Sequence, residues 1–528
     1  MKNVDNQIQE PIYNSALSAG GPYIHVDYVA SRIAFLYEKV RQVIDYQEEH
    51  LLRENAIERI LRRRLFHMEQ KEPFALSLIQ ELIRAGYFPN DSIPESRIDG
   101  VQTILDKYIT ILKDLRKTKR HTKDILDFLY GIAACEIEEF IDPQINELTL
   151  LEFEYETLRS KLQILGSEIS HDKKDALLFT AVNQTLLRAD NRRIYFRLMQ
   201  KIYPWWFEDH GSPVAEFSSP PEAGPPSAEK IEEMKASLDE IIEHAALKHL
   251  RSVTRQFDVV FHIISDVTNN DPSKLMTLMA DNALLTQEVK RAYEKRFNVL
   301  KTKLRRAGFG SVVSIFLSKV LIAISFEIPF ELLIMKQPLE YSFFVTILLL
   351  PLLMFFIVAT IRLPKKKNLE TLVNQIGSII SETFDFQPIK LHARKRKLVT
   401  SLLLLGVQIL ILGIIFSIVI FILTLFHLSF LGIVVFIAFL SLIIFSGMRI
   451  KQWSYELTVG TRKEGVGGFL IDVLSIPIVI FGKALAGKFY KFNIFILLTN
   501  LVFEAPFQSF INFIEEWRKF VGEKKEEL

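Results

Sequence analysis

The sequence predicts an all-α protein: a soluble N-terminal helical domain with a long helical hairpin, followed by an α-helical multi-pass membrane domain. Three observations carry this. Charged residues crowd the chain up to about Arg306, whereas Leu, Ile, Phe and Val dominate from Gly308 onward. Apolar residues in the first part recur at spacings of three and four and rarely alternate, which is the helical period. The second part contains uncharged apolar runs of roughly 20 residues, the length a helix needs to cross a bilayer core of about 30 Å.

At 528 residues the chain has room for two or more domains. Its net charge of +2 averages over two unlike halves, so it points to no nucleic-acid partner. Cys135 is the only cysteine. An intramolecular disulfide and a cysteine-based metal centre within one chain are therefore excluded. Residues 1–24 are polar, include Gly20, Gly21 and Pro22, and read as a flexible N-terminus. They lack the basic and apolar regions of a signal peptide, which leaves targeting to the first membrane segment.

Residues 25–208 read as a cytoplasmic helical domain. Ile33, Leu36, Val40, Val43 and Ile44 fall on one helical face. Breaks are expected at Pro73, between Gly86 and Pro94, at Asp142-Pro143 and between Gly166 and His171, with Ser170 or Asp172 capping the helix that follows. Residues 209–228 form a Pro-rich linker containing Pro213, Pro220, Pro221, Pro225 and Pro226. Residues 229–307 then predict a hairpin of two long helices leading to the membrane, turning at Asn269-Asn270-Asp271-Pro272.

Several local features have plainer readings than they first invite. His244 and His249 are five apart and would point to different faces of a helix, so no metal site is assigned. The aromatic run from Tyr203 to Phe207 reads as core packing at a helix end rather than a partner site. Arg62, Arg63 and Arg64 read as a solvated charge run. No nucleotide-binding loop, nucleophile elbow, catalytic triad or carboxylate pair is recognisable, so no catalytic residue and no cofactor are assigned and no enzyme activity is expected.

Residues 308–528 form the membrane domain. Crossings are expected at about 311–335, 343–361, 398–425 and 430–448, with His427, Leu428 and Ser429 at the tip between the last two. Lys301, Lys303, Arg305 and Arg306 precede the first crossing, and Arg362, Lys365, Lys366 and Lys367 follow the second. Arg394, Lys395, Arg396 and Lys397 precede the third, and Arg449 and Lys451 follow the fourth. Positive charge on one side places the N-terminal domain in the cytoplasm, and the same clusters would attract anionic lipid headgroups. Leu369, Leu372, Val373, Ile376, Ile379, Ile380 and Phe384 line one face of an amphipathic helix, which suits either the membrane surface or the soluble part. Segments 466–482 and 489–504 are short membrane-embedded or interfacial pieces, and 507–521 is an amphipathic C-terminal helix.

Ionisable residues inside these segments form a candidate intramembrane polar site: Lys319, Glu327, Glu331, Asp472 and Glu504. Phe326-Glu327-Ile328-Pro329-Phe330 is echoed by Phe503-Glu504-Ala505-Pro506-Phe507. A proline leaves helix carbonyls without donors, and a nearby carboxylate could then hold a cation or relay protons. A structural kink is the plainer reading. Lys319 lies about two turns before Glu327, too far for a direct pair along a regular α-helix.

Glu504-Ala505-Pro506-Phe507, Glu515-Glu516-Trp517 and the closing Glu523-Lys524-Lys525-Glu526-Glu527 resemble the ending of uncharacterised multi-pass membrane proteins of uncultured small-genome bacteria. The resemblance covers the C-terminal half. It implies a bacterial inner-membrane location and lends no activity. The reading that follows is a membrane-anchored helical scaffold, adaptor or sensor, embedded in the bilayer and able to self-associate or hold a protein partner. The alternative is a transporter or channel with a regulatory cytoplasmic domain.

Overall fold

The computed structural model describes residues 22–26, 49–66, 73–117, 123–161, 164–165, 170–210, 227–268, 281–336, 341–361, 363–364, 366–380, 389–390, 398–459 and 475–485. The fold is all-α, as the periodicity requires. Its described strand residues are one two-residue parallel pair, Ile164 with Ile389 and Leu165 with Lys390. The chain divides into two compact units, one built mainly from residues 1–255 and the other mainly from 256–506.

In the first unit, α1 (Glu49–Phe66), α2 (Ala75–Arg84), α3 (Arg97–Lys117), α4 (Lys123–Ile141), α5 (Ile145–Lys161), α6 (His171–Thr185) and α7 (Asn191–Ile202) follow in order. A 3-10 turn, Pro204–His210, closes α7. Ser170 caps α6, accepting from the Lys173 amide, and Asp190 caps α7 in the same way through Arg193. Trp206 and Phe207 are buried, and the Trp206 indole donates to Tyr108 Oη at 3.1 Å. Part of the expected flexible N-terminus is instead docked. The Ile24 amide donates to the Ile93 carbonyl at 2.9 Å and its side chain is buried.

The central helix α4 is buried along most of its length and carries acids inward as well as Ile, Leu and Phe. Glu138 on α4 and Glu54 on α1 both meet Arg193 of α7, at 2.7 and 2.5 Å. Arg197 adds a bond to Glu139 at 2.7 Å, and Arg53 one to Asp142 at 2.5 Å. These pairs staple α1, α4 and α7 around an otherwise apolar core. Burial raises the Glu54 carboxyl to about 7 against the pull of Arg193, and burial raises Glu138 in the same direction. The arginine run of α1 is likewise used between helices rather than simply solvated. Arg62 pairs with Glu58 and with Asp127 of α4, and Arg63 and Arg64 both reach Glu81 of α2.

The segment after the linker departs from the expected long helix. It is broken into α8 (Ala228–Ile242), α9 (Leu247–Thr254) and α10 (Asp258–Thr268). His244 makes the first break, its Nδ1 accepting from the Ala246 amide at 3.2 Å. The turn lets Ala246, Leu247 and Leu250 become buried, and Thr185 of α6 donates to Thr254 at 3.0 Å. Residues 229–255 thus complete the first unit, and the long hairpin is confined to α10 and its successor in the second.

That successor, α11 (Asn282–Ile322), is a single helix of 41 residues, capped by Asp281. Its polar half buries Leu285, Val289, Tyr293, Leu300 and Leu304, and Arg296 grips Asp266 of α10. Its apolar half continues to Met335, so the first span is one uninterrupted helical rod from Ala283. Then come α12 (Tyr341–Ala359), α13 (Lys366–Ile380), α14 (Leu398–Leu425), α15 (Phe430–Ser454) and α16 (Ser475–Leu485). Among the described residues, three helices are long and apolar enough to cross a membrane: Ala283–Met335, Leu402–Leu425 and Phe430–Ser454. The hairpin tip falls where expected. His427 takes a left-handed φ of 56°, and Ser429 caps α15 by accepting from the Gly432 amide. The amphipathic α13 packs on α10 and α11, burying Leu372 and Ile376. Residues 211–226 of the expected 209–228 linker, segment 489–504 and helix 507–521 lie outside the described residues.

Glu54 predicts a measurable pH dependence for the first unit. Its folded carboxyl titrates near 7, above the ordinary value of 4.5. The folded state therefore binds more protons than the unfolded state between those values, and this group makes stability fall as pH rises through that window. Glu54→Gln should flatten the fall between pH 5 and pH 8, by about 1–3 kcal/mol, in thermal melts followed by circular dichroism. An unchanged pH profile would show that Glu54 is charged in both states.

Candidate functional site

The apolar half of α11 carries the candidate residues. It packs against α12 and α15 at close range. A Cβ on Gly308 would lie 2.5 Å from Val358 of α12, and one on Gly447 of α15 would lie 2.4 Å from Ile357. Small residues at these two points let the three helices approach, the usual way of packing helices without a hydrophobic driving force between them. Phe309, Leu317, Leu321 and Ile324 project outward from α11 as an exposed apolar face.

Lys319 and Glu327 are buried, at 0 % and 2 % exposure. Lys319 Nζ donates to both carboxylate oxygens of Glu327, at 2.5 and 2.8 Å. This overturns the expectation that the two are too far apart to pair. In a regular α-helix, positions eight apart are turned about 80° from each other. Residues Ala323–Glu327, however, wind as a π-helix, with the Ile328 amide donating to the Ala323 carbonyl five residues back. Each π residue turns roughly 17° less than an α residue, so five of them cancel the offset and also shorten the rise. Pro329 gives the sequence cause: it has no amide proton, and its ring would clash with the Ser325 carbonyl in an α-helical ladder. Widening the helix just before the proline removes that clash and swings Glu327 under Lys319.

Glu331 lies in the first turn of the next π-wound stretch, Phe330–Met335, and is partly exposed, outside the bidentate pair. Lys336 ends the rod with a left-handed φ of 53°. Asp472 and Glu504 lie outside the described residues, so the structure brings together two of the five candidates. Thr346 and Ser441 are also buried in this bundle. Counting along antiparallel helices from the Gly308–Val358 contact sets Lys319 level with Ile347, one residue from Thr346. Ser441 donates its hydroxyl hydrogen to the Ile437 carbonyl at 2.8 Å.

A second polar junction was not visible in the sequence. Asn368 of α13 donates to Tyr293 Oη of α11 at 3.1 Å and to the Leu457 carbonyl at 2.6 Å, and it accepts from the Val459 amide at 2.8 Å. One amide side chain thereby joins the polar half of α11, the start of α13 and the segment after α15. The signal available was an asparagine preceding an amphipathic stripe, which is too common to single out. No group of three or more His, Cys, Asp or Glu side chains suited to a metal occurs among the described residues.

No family model, curated protein or solved structure matches this chain. The class it belongs to therefore rests on its own fold: an all-α, membrane-associated protein with a charged helical unit and a bundle of apolar helices.

The bidentate pair makes a sharp prediction. Lys319→Met leaves the Glu327 carboxylate buried alone and should destabilise the protein by about 3–5 kcal/mol. Lys319→Met combined with Glu327→Leu removes both charges and should recover most of that loss, so the two changes are strongly non-additive. Thermal unfolding of the four variants in detergent micelles reads the cycle. Additive effects would mean that the side chains do not meet.

Proposed function

We propose that this protein is a non-enzymatic, membrane-anchored helical scaffold, adaptor or sensor of a bacterial inner membrane, with its N-terminal unit in the cytoplasm. The observation that carries the reading is the continuity of α11. Its polar half is clamped by α10 and α13, and its apolar half is the centre of the membrane bundle, without a break between them. A rod held at both ends anchors what is attached to its polar half. It can also pass a displacement from one end to the other, which a flexible tether could not.

The ionisable residues support the same reading. Lys319 and Glu327 satisfy one another, so each offsets the cost of the other's charge in an apolar layer, about 2.5–3.5 kcal/mol per group. In the first unit, Glu54, Glu138 and Glu139 are tied up with arginines between helices. Orientation rests on the basic clusters, and the bacterial membrane on the resemblance of the C-terminal sequence. The transporter or channel reading draws support from one feature, the π-wound, proline-containing segment that holds a buried lysine and glutamate, since irregular helices carrying charge are how many transporters build a midplane site.

Single cysteines at Lys366 and His427, in a Cys135→Ser background, test the anchor and its orientation. An impermeant thiol reagent applied to intact cells should label position 427 and spare position 366. Labelling of 366 from outside would overturn the orientation. In proteoliposomes of the same protein, Glu327→Gln should leave ion and proton flux unchanged, whereas a flux in the wild type that this variant abolishes would establish the transport reading instead.

A further inference from the structure

The seam between α11 and α15 carries two exposed arginines near its polar end, Arg306 and Arg449. Lys303 of α11 lies over the Trp453 ring of α15, 5.1 Å from its centroid, and 3.5 Å from the Glu456 carboxylate. This contact fixes the register of the two antiparallel helices. One turn nearer the apolar spans, α11 presents Arg306 and α15 presents Arg449. Counting from the Lys303–Trp453 contact sets Arg449 level with Ala307, next to Arg306. Both arginines are exposed. Neither has a hydrogen-bond or ion-pair partner among the described residues, and Glu456 on this seam faces Lys303. Like charges placed together at one level repel unless an anion lies between them or solvent screens them.

The surroundings say what that anion is. Beyond Arg306 toward the spans, the next outward side chain is Phe309, 75 % exposed on the apolar face of the bundle. Before it lies Trp453, the residue type that favours the headgroup level of a bilayer. The two guanidinium groups thus stand where an apolar belt gives way to a polar helix end, which is where phospholipid phosphates lie. Guanidinium forks match phosphate oxygens in pairs, with more geometric demand than a lysine makes. We infer that Arg306 and Arg449 form a binding site for the phosphate of an anionic phospholipid, held across the α11–α15 seam. The site depends on the membrane anchoring proposed above but on neither its orientation nor the scaffold role.

The test uses the full-length protein in detergent, titrated with phosphatidylglycerol and with phosphatidylcholine and read by native mass spectrometry. Wild type should retain phosphatidylglycerol in preference to phosphatidylcholine. Arg306→Gln with Arg449→Gln should weaken phosphatidylglycerol binding roughly 30-fold, the loss expected for two basic residues near an anionic headgroup layer. The double lysine variant, R306K/R449K, keeps the charge and should lose less. Arg291→Gln with Lys295→Gln removes the same charge from exposed positions in the polar half of α11 and should leave binding unchanged. Equal loss in that control would overturn the site in favour of diffuse attraction. Displacement of the lipid by inorganic phosphate would overturn the lipid assignment in favour of a soluble phosphate. Circular dichroism of each variant confirms that the helices are intact. Loss of the lipid preference with the cysteine-labelling pattern preserved would remove this site and leave the anchor standing.

Discussion

A charge in an apolar layer has to be neutralised where it stands, and in this protein that requirement sets the shape of its longest helix. Lys319 and Glu327 sit eight residues apart, on faces that a regular α-helix would turn away from each other. They meet because Ala323–Glu327 is π-wound, and the winding is there because Pro329 cannot continue an α-helical ladder. Proline, winding and ion pair form one device. Without the winding, each charge would be buried alone in the bundle. Without the pair, nothing would compensate the poorer hydrogen-bond geometry of the wide turn.

The same helix supplies the mechanical continuity of the second unit. Its polar half is gripped by Asp266 through Arg296 and by Asn368 through Tyr293. Asn368 also holds the backbone at Leu457 and Val459, just after α15. The ends of the membrane helices and the polar hairpin are therefore tied at one junction. Close approach at Gly308 and Gly447 completes the bundle. A shift of the apolar half of α11 would reach α10 and α13 through side chains with fixed partners, which is what a sensor or adaptor requires.

Much of this was legible in the sequence because it is local. Ser170 caps α6 where its position ahead of an apolar run indicates, and the turn at His427 falls between two uncharged runs. The helical period gave the fold class, and hydropathy gave the apolar helices. What escaped was long-range or depended on irregular winding. Nothing in 242–258 is a glycine or proline, so the two helix breaks there lack the usual marker; the first falls at His244 and turns the chain so that Leu247 and Leu250 are buried. Arg62, Arg63 and Arg64 look like a solvated run until Asp127 and Glu81 are brought beside them by folding. Arg193 gives no hint of its partners, because Glu54 and Glu138 lie on two other helices. Regular α-helical spacing sets Lys319 and Glu327 on different faces, and Pro329 is the sign in the sequence that this spacing does not apply.

The winding of α11 is the claim on which the rest turns, and it can be measured directly. Spin labels placed singly at successive positions from 316 to 335, leaving Lys319 and Glu327 intact, would report oxygen accessibility in lipid nanodiscs. The account predicts a period of about 3.6 residues as far as Ile322 and a longer one, approaching roughly 4.4, from Ala323 to Met335. A period of about 3.6 running unbroken through Pro329 would contradict it, because Lys319 and Glu327 would then face different sides of the helix.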